Sequence, residues 1–103
     1  MTVQQIAMLV GNVDPAARHY YNPHNGEDYT RWQEYERIGQ AGDDDWGEGW
    51  KFQIDRYTKQ EYDPVAADIE AALKKSVGVT YTYLVDYEQD SGYIHHIFDC
   101  EGV

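Results

Sequence analysis

Residues 77–100 read VGVTYTYLVDYEQDSGYIHHIFDC, and this stretch decides the fold. Two runs of alternating character flank a short polar turn, which is the pattern of an antiparallel hairpin. The strands are expected over Val77 to Glu88 and Tyr93 to Cys100, with the turn at Gln89 to Gly92. A two-residue loop at Asp90-Ser91 and a four-residue loop at Gln89 to Gly92 give the same register, with Glu88 opposite Tyr93. One face then carries Val79, Tyr81, Tyr83, Val85 and Tyr87 against Ile94, His96, Phe98 and Cys100, and is the core face. The other carries Thr82, Leu84, Asp86 and Glu88 against Asp99, Ile97, His95 and Tyr93.

Upstream of the hairpin, Asp63-Pro64 is a helix start: an Asp cap followed by Pro in the first turn. Val65, Ile69 and Leu73 recur at helical spacing, so a helix is expected from Pro64 to about Lys75. Lys74 and Lys75 suit its C-terminal dipole. Trp50, Phe52 and Ile54 alternate with Lys51, Gln53 and Asp55, which reads as a strand with one apolar face.

The N-terminal half reads as helical. Thr2 can cap a helix over Val3 to Val10 that ends at Gly11 or Asn12. Asp14-Pro15 repeats the cap-and-proline signal and suggests a short helix to Tyr21, before Asn22-Pro23. Thr30-Arg31-Trp32-Gln33 fits a capping box, and Trp32, Tyr35 and Ile38 recur every three residues. A helix over Arg31 to Ile38, stopped by Gly39, is therefore expected. Gln40 to Gly49 is a Gly-rich acidic loop. The expected architecture is α+β: short N-terminal helices, then a β-α-β-β unit whose antiparallel sheet of about three strands packs on one helix.

The chain has 103 residues, room for one domain (1–103) with a small core. It carries 19 Asp and Glu against 8 Lys and Arg, yet also ten Tyr and three Trp. Acidic chains that stay disordered are poor in aromatics, so this one is expected to fold. The charge is uneven. Asp14 to Trp50 holds nine acids and three Arg, Lys51 to Lys75 is balanced, and Ser76 to Val103 holds five acids with no Lys or Arg. Such a balance argues against direct contact with nucleic acid or anionic membrane, where phosphate contacts need cations. One cysteine, Cys100, excludes an intrachain disulfide and fits a reducing cytoplasm. The first residues lack the positive segment of a signal peptide.

Candidate contact residues follow from the acids and the aromatics beside them. Asp43, Asp44, Asp45 and Glu48 surround Trp46, an aromatic set among charges. Glu27, Asp28, Glu34 and Glu36 lie before and within the Trp32 segment, and Asp86, Glu88 and Asp90 lie near the hairpin turn with Tyr93. A spread of carboxylates can imitate the regular charges of a nucleic-acid backbone. Each acid alone also reads as a solvated surface group. The triple Asp lacks the spacing of a calcium loop. His95 and His96 are adjacent and so point to opposite faces of a strand. His95 with Asp86 or Asp99 could serve a metal or an acid–base pair, with His19, His24 or Cys100 as a distant third ligand. His96 and Cys100, on the core face, read as packing. No catalytic motif stands out and no cofactor is expected.

In size, acidity and Tyr/Trp content, with the clusters Asp43-Asp44-Asp45 and Asp86/Glu88/Asp90, the chain resembles small phage- and plasmid-encoded anti-defence proteins: anti-CRISPR proteins and antirestriction DNA mimics. The resemblance implies a non-enzymatic inhibitor in the host cytoplasm. Its target would be a basic, nucleic-acid-binding surface: a guide-RNA surveillance complex, a Cas nuclease or a restriction enzyme. A toxin-immunity protein plugging a basic nuclease site is an alternative, and a small metal-dependent enzyme using His95, Asp86 and Asp99 is another. Leu84 and Ile97, adjacent on the outer hairpin face, offer a small apolar patch for a homo-oligomer.

Overall fold

A computed structural model describes residues 1–39 and 49–103. Among them the elements run α1 (Val3–Val13), β1 (Arg18–His19), β2 (Tyr29–Ile38), β3 (Gly49–Thr58), α2 (Pro64–Lys75), β4 (Val79–Glu88) and β5 (Tyr93–Gly102). The strands form one mixed five-stranded sheet in the order β1-β2-β3-β5-β4. β1 runs parallel to β2, and every other neighbouring pair is antiparallel.

The expectation of a three-stranded sheet on one helix is therefore overturned: two helices accompany five strands. The main correction is the segment 31–38, which is strand β2 and not a helix. Thr30 and Trp32 are both buried, two residues apart, while Arg31 and Gln33 face the other way. That period-two pattern competes with the spacing of three between Trp32, Tyr35 and Ile38. Tyr, Thr, Trp and Ile all favour a pleated surface, and pairing with β3 settles the matter. An irregularity between Glu34 and Glu36 leaves Tyr35 without an opposite residue and ends the strict alternation.

Nor does Pro15 to Tyr21 form a helix. Asp14 ends α1 and its side chain accepts the backbone N–H of Ala16, an Asx turn that uses the same Asp-Pro chemistry. Tyr20 then adopts φ 67°, which no helix tolerates. The expected α1 runs on past Gly11 and Asn12 to Val13, with a full capping box between Thr2 and Gln5.

The helix after Asp63 and the hairpin register are as expected, although the first hairpin strand starts at Val79 and its core face is buried only in part. Asp63 caps α2 by accepting from Val65 and Ala66, and the helix spans Pro64–Lys75. The hairpin register is as read, Glu88 opposite Tyr93 and Tyr81 opposite Cys100. Both helices lie on one face of the sheet. Ile6 and Val10 of α1 and Ile69 and Leu73 of α2 bury against Trp32, Phe52, Ile54, Phe98 and Cys100. Each such side chain contributes about 1.5–3 kcal/mol by leaving water. β5, last in sequence, lies between β3 and β4. The α2 crossover therefore joins two strands that are not neighbours.

The helices do not cover the whole core face. Val79 and Tyr81, early in β4, pack on the core. Val85 and Tyr87, later in the same strand and on the same face, are exposed.

Candidate functional site

The beginning of β2, the end of β3, the end of β4 and the start of β5 meet at one end of the sheet. Cross-strand register puts Tyr29, Tyr57, His95 and Asp86 in one row, on the face away from the helices. The three rings stack: Tyr29 on Tyr57 at 4.5 Å between centroids and Tyr57 on His95 at 4.0 Å. His24, from the loop before β2, extends the stack by lying on Tyr29 at 3.8 Å. Asn25 at φ 52° and Gly26 at φ 79° turn that loop back so that His24 can reach. Tyr93 closes the cluster edge-on to His24, Tyr29 and Tyr57. Its hydroxyl donates to the Glu27 carbonyl at 2.7 Å, and the Lys59 ammonium sits 4.9 Å from its ring centre. Burial pushes the Tyr29 hydroxyl up to about 12, so this phenol stays protonated.

Beneath the stack, Asp55 is buried on the face away from the helices. It receives Nε2 of His95 at 2.7 Å and Nε2 of Gln53 at 2.8 Å, with Nε of Arg31 at 3.5 Å. Arg31 also donates to the Tyr57 hydroxyl at 3.1 Å. Glu88 approaches the other nitrogen of His95 at 3.7 Å. His95 thus pairs with Asp55 and neighbours Glu88, whereas Asp99 accepts a hydrogen bond from Tyr35. That bond pushes the Tyr35 phenol up to about 12. Asp86 stays opposite His95 in the register and Asp99 is engaged by Tyr35, so the hydrogen-bonded partner of His95 is instead Asp55, on β3 and 22 residues before the hairpin begins at Val77. Among the described residues no three His, Cys, Asp or Glu side chains are grouped to hold a metal ion. His24 lies in the aromatic cluster, and His19 lies with Trp32 at the β1 edge.

On the helix side a second network surrounds Arg56. Its Nε donates to Asp63 at 2.8 Å, and Asp14 and Asp28 lie at 3.6 and 3.9 Å. Burial of Asp28 pushes its carboxyl up, but bonds from Thr58, Lys59 and Gln60 and the Arg56 charge outweigh this and hold it below the usual range.

The sequence-derived contact residues fall into three groups. Glu27, Asp86 and Asp90 are exposed and Glu88 is half-buried, all at the aromatic end of the sheet. Asp28 belongs to that end but serves the Arg56 network, and Tyr93 is buried, 6 % exposed. Glu34 and Glu36 lie elsewhere. Glu34 accepts from His19 and Tyr20 at the β1 edge, and Glu36 pairs with Lys51 at 3.0 Å. Burial raises the Glu34 carboxyl, but the Tyr20 and His19 bonds prevail and leave it lowered. Asp43, Asp44, Asp45, Trp46 and Glu48 lie outside the described residues. Leu84 and Ile97 are opposite one another, with Leu84 well exposed. Sequence reasoning missed the stack itself. Its signal was present in Tyr29, Tyr57 and His95, but only the register between β2, β3 and β5 aligns them.

Cys100 is buried, and burial with the neighbouring Asp99 pushes its thiol up to about 12. It is a packing residue with a protonated sulfur. No helix among the described residues is long and apolar enough to cross a membrane.

No family model matches the chain, and no curated protein matches it. Among solved structures, the fold is similar to that of a chain in "Virion of native gene transfer agent (GTA) particle", with a TM-score of 0.53 at 15 % identity. The likeness covers 96 % of this chain and 85 % of that one.

Proposed function

We propose that this chain is a non-enzymatic structural subunit that docks on other proteins in a phage-like particle, assembled in the cytoplasm of the cell that makes it. The observation that carries this reading is the fold likeness to a chain of a gene transfer agent virion, which extends over nearly the whole domain. The surface agrees with a docking role. Leu84, Val85 and Tyr87 crowd onto an exposed strand at the rim of the sheet, where a partner would desolvate them. His95 and Asp55, the closest approach to a catalytic pair, are capped by Tyr57 and engaged by Gln53 and Arg31, which suits a fixed structural role.

The test is to induce particles in the source cell and purify them on a density gradient. The chain should travel with the particles, and cells lacking its reading frame should yield incomplete particles by negative-stain microscopy. Complete, infectious particles made without the chain would defeat the proposal.

A second reading, the acidic inhibitor of a basic defence protein, is favoured by one observation: Glu27, Asp86, Glu88 and Asp90 converge at one end of the sheet. There, binding to a basic partner should weaken steeply with salt. It should also weaken in Asp86→Asn/Glu88→Gln/Asp90→Asn. Binding to the partner that ignored both salt and this substitution would remove the inhibitor reading.

A further inference from the structure

The two edges of the sheet are built differently. At the β2 edge, β1 covers Arg31 and Trp32, and beyond it come the irregularity at Tyr35 and the charges of Glu34, Glu36 and Arg37. Short cover strands, bulges and charges are the devices that prevent one sheet from adding to another. Among the described residues β4 has neither cover strand nor bulge, and its charges, Asp86 and Glu88, stand only at its end. It is ten residues long, pairs with β5 without a register shift, and contains no Pro, Lys or Arg. Among the described residues nothing pairs with its outer side. Tyr83, Val85 and Tyr87 on one face and Leu84 on the other are 36 %, 56 %, 59 % and 60 % exposed, so the middle of this edge presents apolar side chains to water.

We infer that the free edge of β4 pairs antiparallel with β4 of a second copy of this chain, joining two sheets into one. The strand is complementary to itself in that direction. Thr80 and Thr82 stand at its beginning, Asp86 and Glu88 at its end, and the apolar residues between. A two-fold axis at Tyr83 sets Asp86 opposite Thr80 of the second copy; an axis at Leu84 sets it opposite Thr82. Asp86 then meets a hydroxyl donor in either register and Glu88 meets Thr80 when the axis is at Leu84, and neither meets another acid. The two Asp86 carboxylates end roughly 14–20 Å apart, from the rise per strand residue, which exceeds the Debye length of about 10 Å at 0.1 M salt. A parallel pairing would set them side by side, and like charges opposite one another oppose association. The inference concerns the chain alone and stands whatever else it docks on.

The experiment is sedimentation equilibrium of the full chain over a range of concentration and salt, with Leu84→Lys/Val85→Lys as the variant. Both positions are exposed, so the variant should fold, as circular dichroism will report. The expected result is a species of twice 12.0 kDa. Its association should strengthen with salt, because each copy carries a net charge of −11. The double lysine should weaken association roughly tenfold or more, by burying cations at an apolar seam. Amides of β4 should gain protection from hydrogen exchange as concentration rises. A chain that stays monomeric at every concentration and salt overturns the inference. So does a dimer that the lysines leave intact but Met8→Lys/Val77→Lys breaks, which would move the contact to the open pocket that Met8 of α1 and Val77, just after α2, help to line.

Discussion

Arg56 and Asp63 are joined by a 2.8 Å bond between two nearly inaccessible side chains, and Asp63 at the same time caps α2 through Val65 and Ala66. One carboxylate therefore fixes both where the helix begins and where that beginning sits on the sheet. Removing the cation would strand Asp63 in a buried site beside Asp14 and Asp28. Arg56→Ala should cost about 3–5 kcal/mol of stability. Asp63→Ala should lose the pair and, in addition, about 1 kcal/mol of cap. Urea denaturation followed by circular dichroism measures both, and an Arg56→Ala loss below about 1 kcal/mol would mean the network does not hold the helix.

The aromatic stack should depend on its middle ring. Tyr57→Ala should cost about 3–5 kcal/mol, as for other large buried rings. Tyr57→Phe keeps the stack and loses only the bond from Arg31, about 1 kcal/mol. If the two variants unfold at the same denaturant concentration, stacking contributes little.

Cys100 should be inert in the folded protein. Its thiol is buried and pushed up to about 12, so the reactive thiolate is scarce at pH 8. Iodoacetamide should label it only in denaturant, and rapid labelling without denaturant would contradict its placement against Phe52 and Tyr81.

Two groups of shifts give stability a pH dependence of stated sign. Burial lowers His96 below its ordinary 6.5, and the Tyr83 hydroxyl lies at hydrogen-bond distance from its Nδ1. The unfolded chain takes up the proton first, so the contribution of neutral His96 is present above pH 6.5 and is lost as pH falls through that region. Asp28 and Glu34 are lowered from 3.8 and 4.5. Their contribution is present above those values and is lost as pH falls below them. Urea midpoints from pH 8 to pH 3 should show two declines. His96→Phe should flatten the upper one and Asp28→Asn part of the lower. A variant that keeps the full wild-type profile would clear that residue of the role.

The sequence carried the hairpin because period-two alternation and a tight turn are local properties, and together they leave one register for Tyr81 and Cys100. It carried α2 for the same reason, through Asp63-Pro64 and the i, i+4 row of Ile69 and Leu73. It misled at Trp32, where spacings of two and three coexist and only the partner strand decides between them. In the sequence an acid such as Asp28 reads as a solvated or contact charge. Yet Asp28 spends its oxygens on Thr58 and Lys59, and Asp55 on Gln53 and His95. Such pairings span up to 40 residues of chain and have no local signature.

The position of β5 has a kinetic side. β3 and β4 are both complete before β5 is made, yet neither touches the other in the sheet, because Tyr93–Gly102 must enter between them. Until it does, both strands have unsatisfied rims and the α2 crossover spans an empty slot. Sheet closure is thus a late, long-range step, which predicts slow folding for a chain this short. It also leaves a window in which strand β4 of an unfinished molecule can be captured by the wrong neighbour.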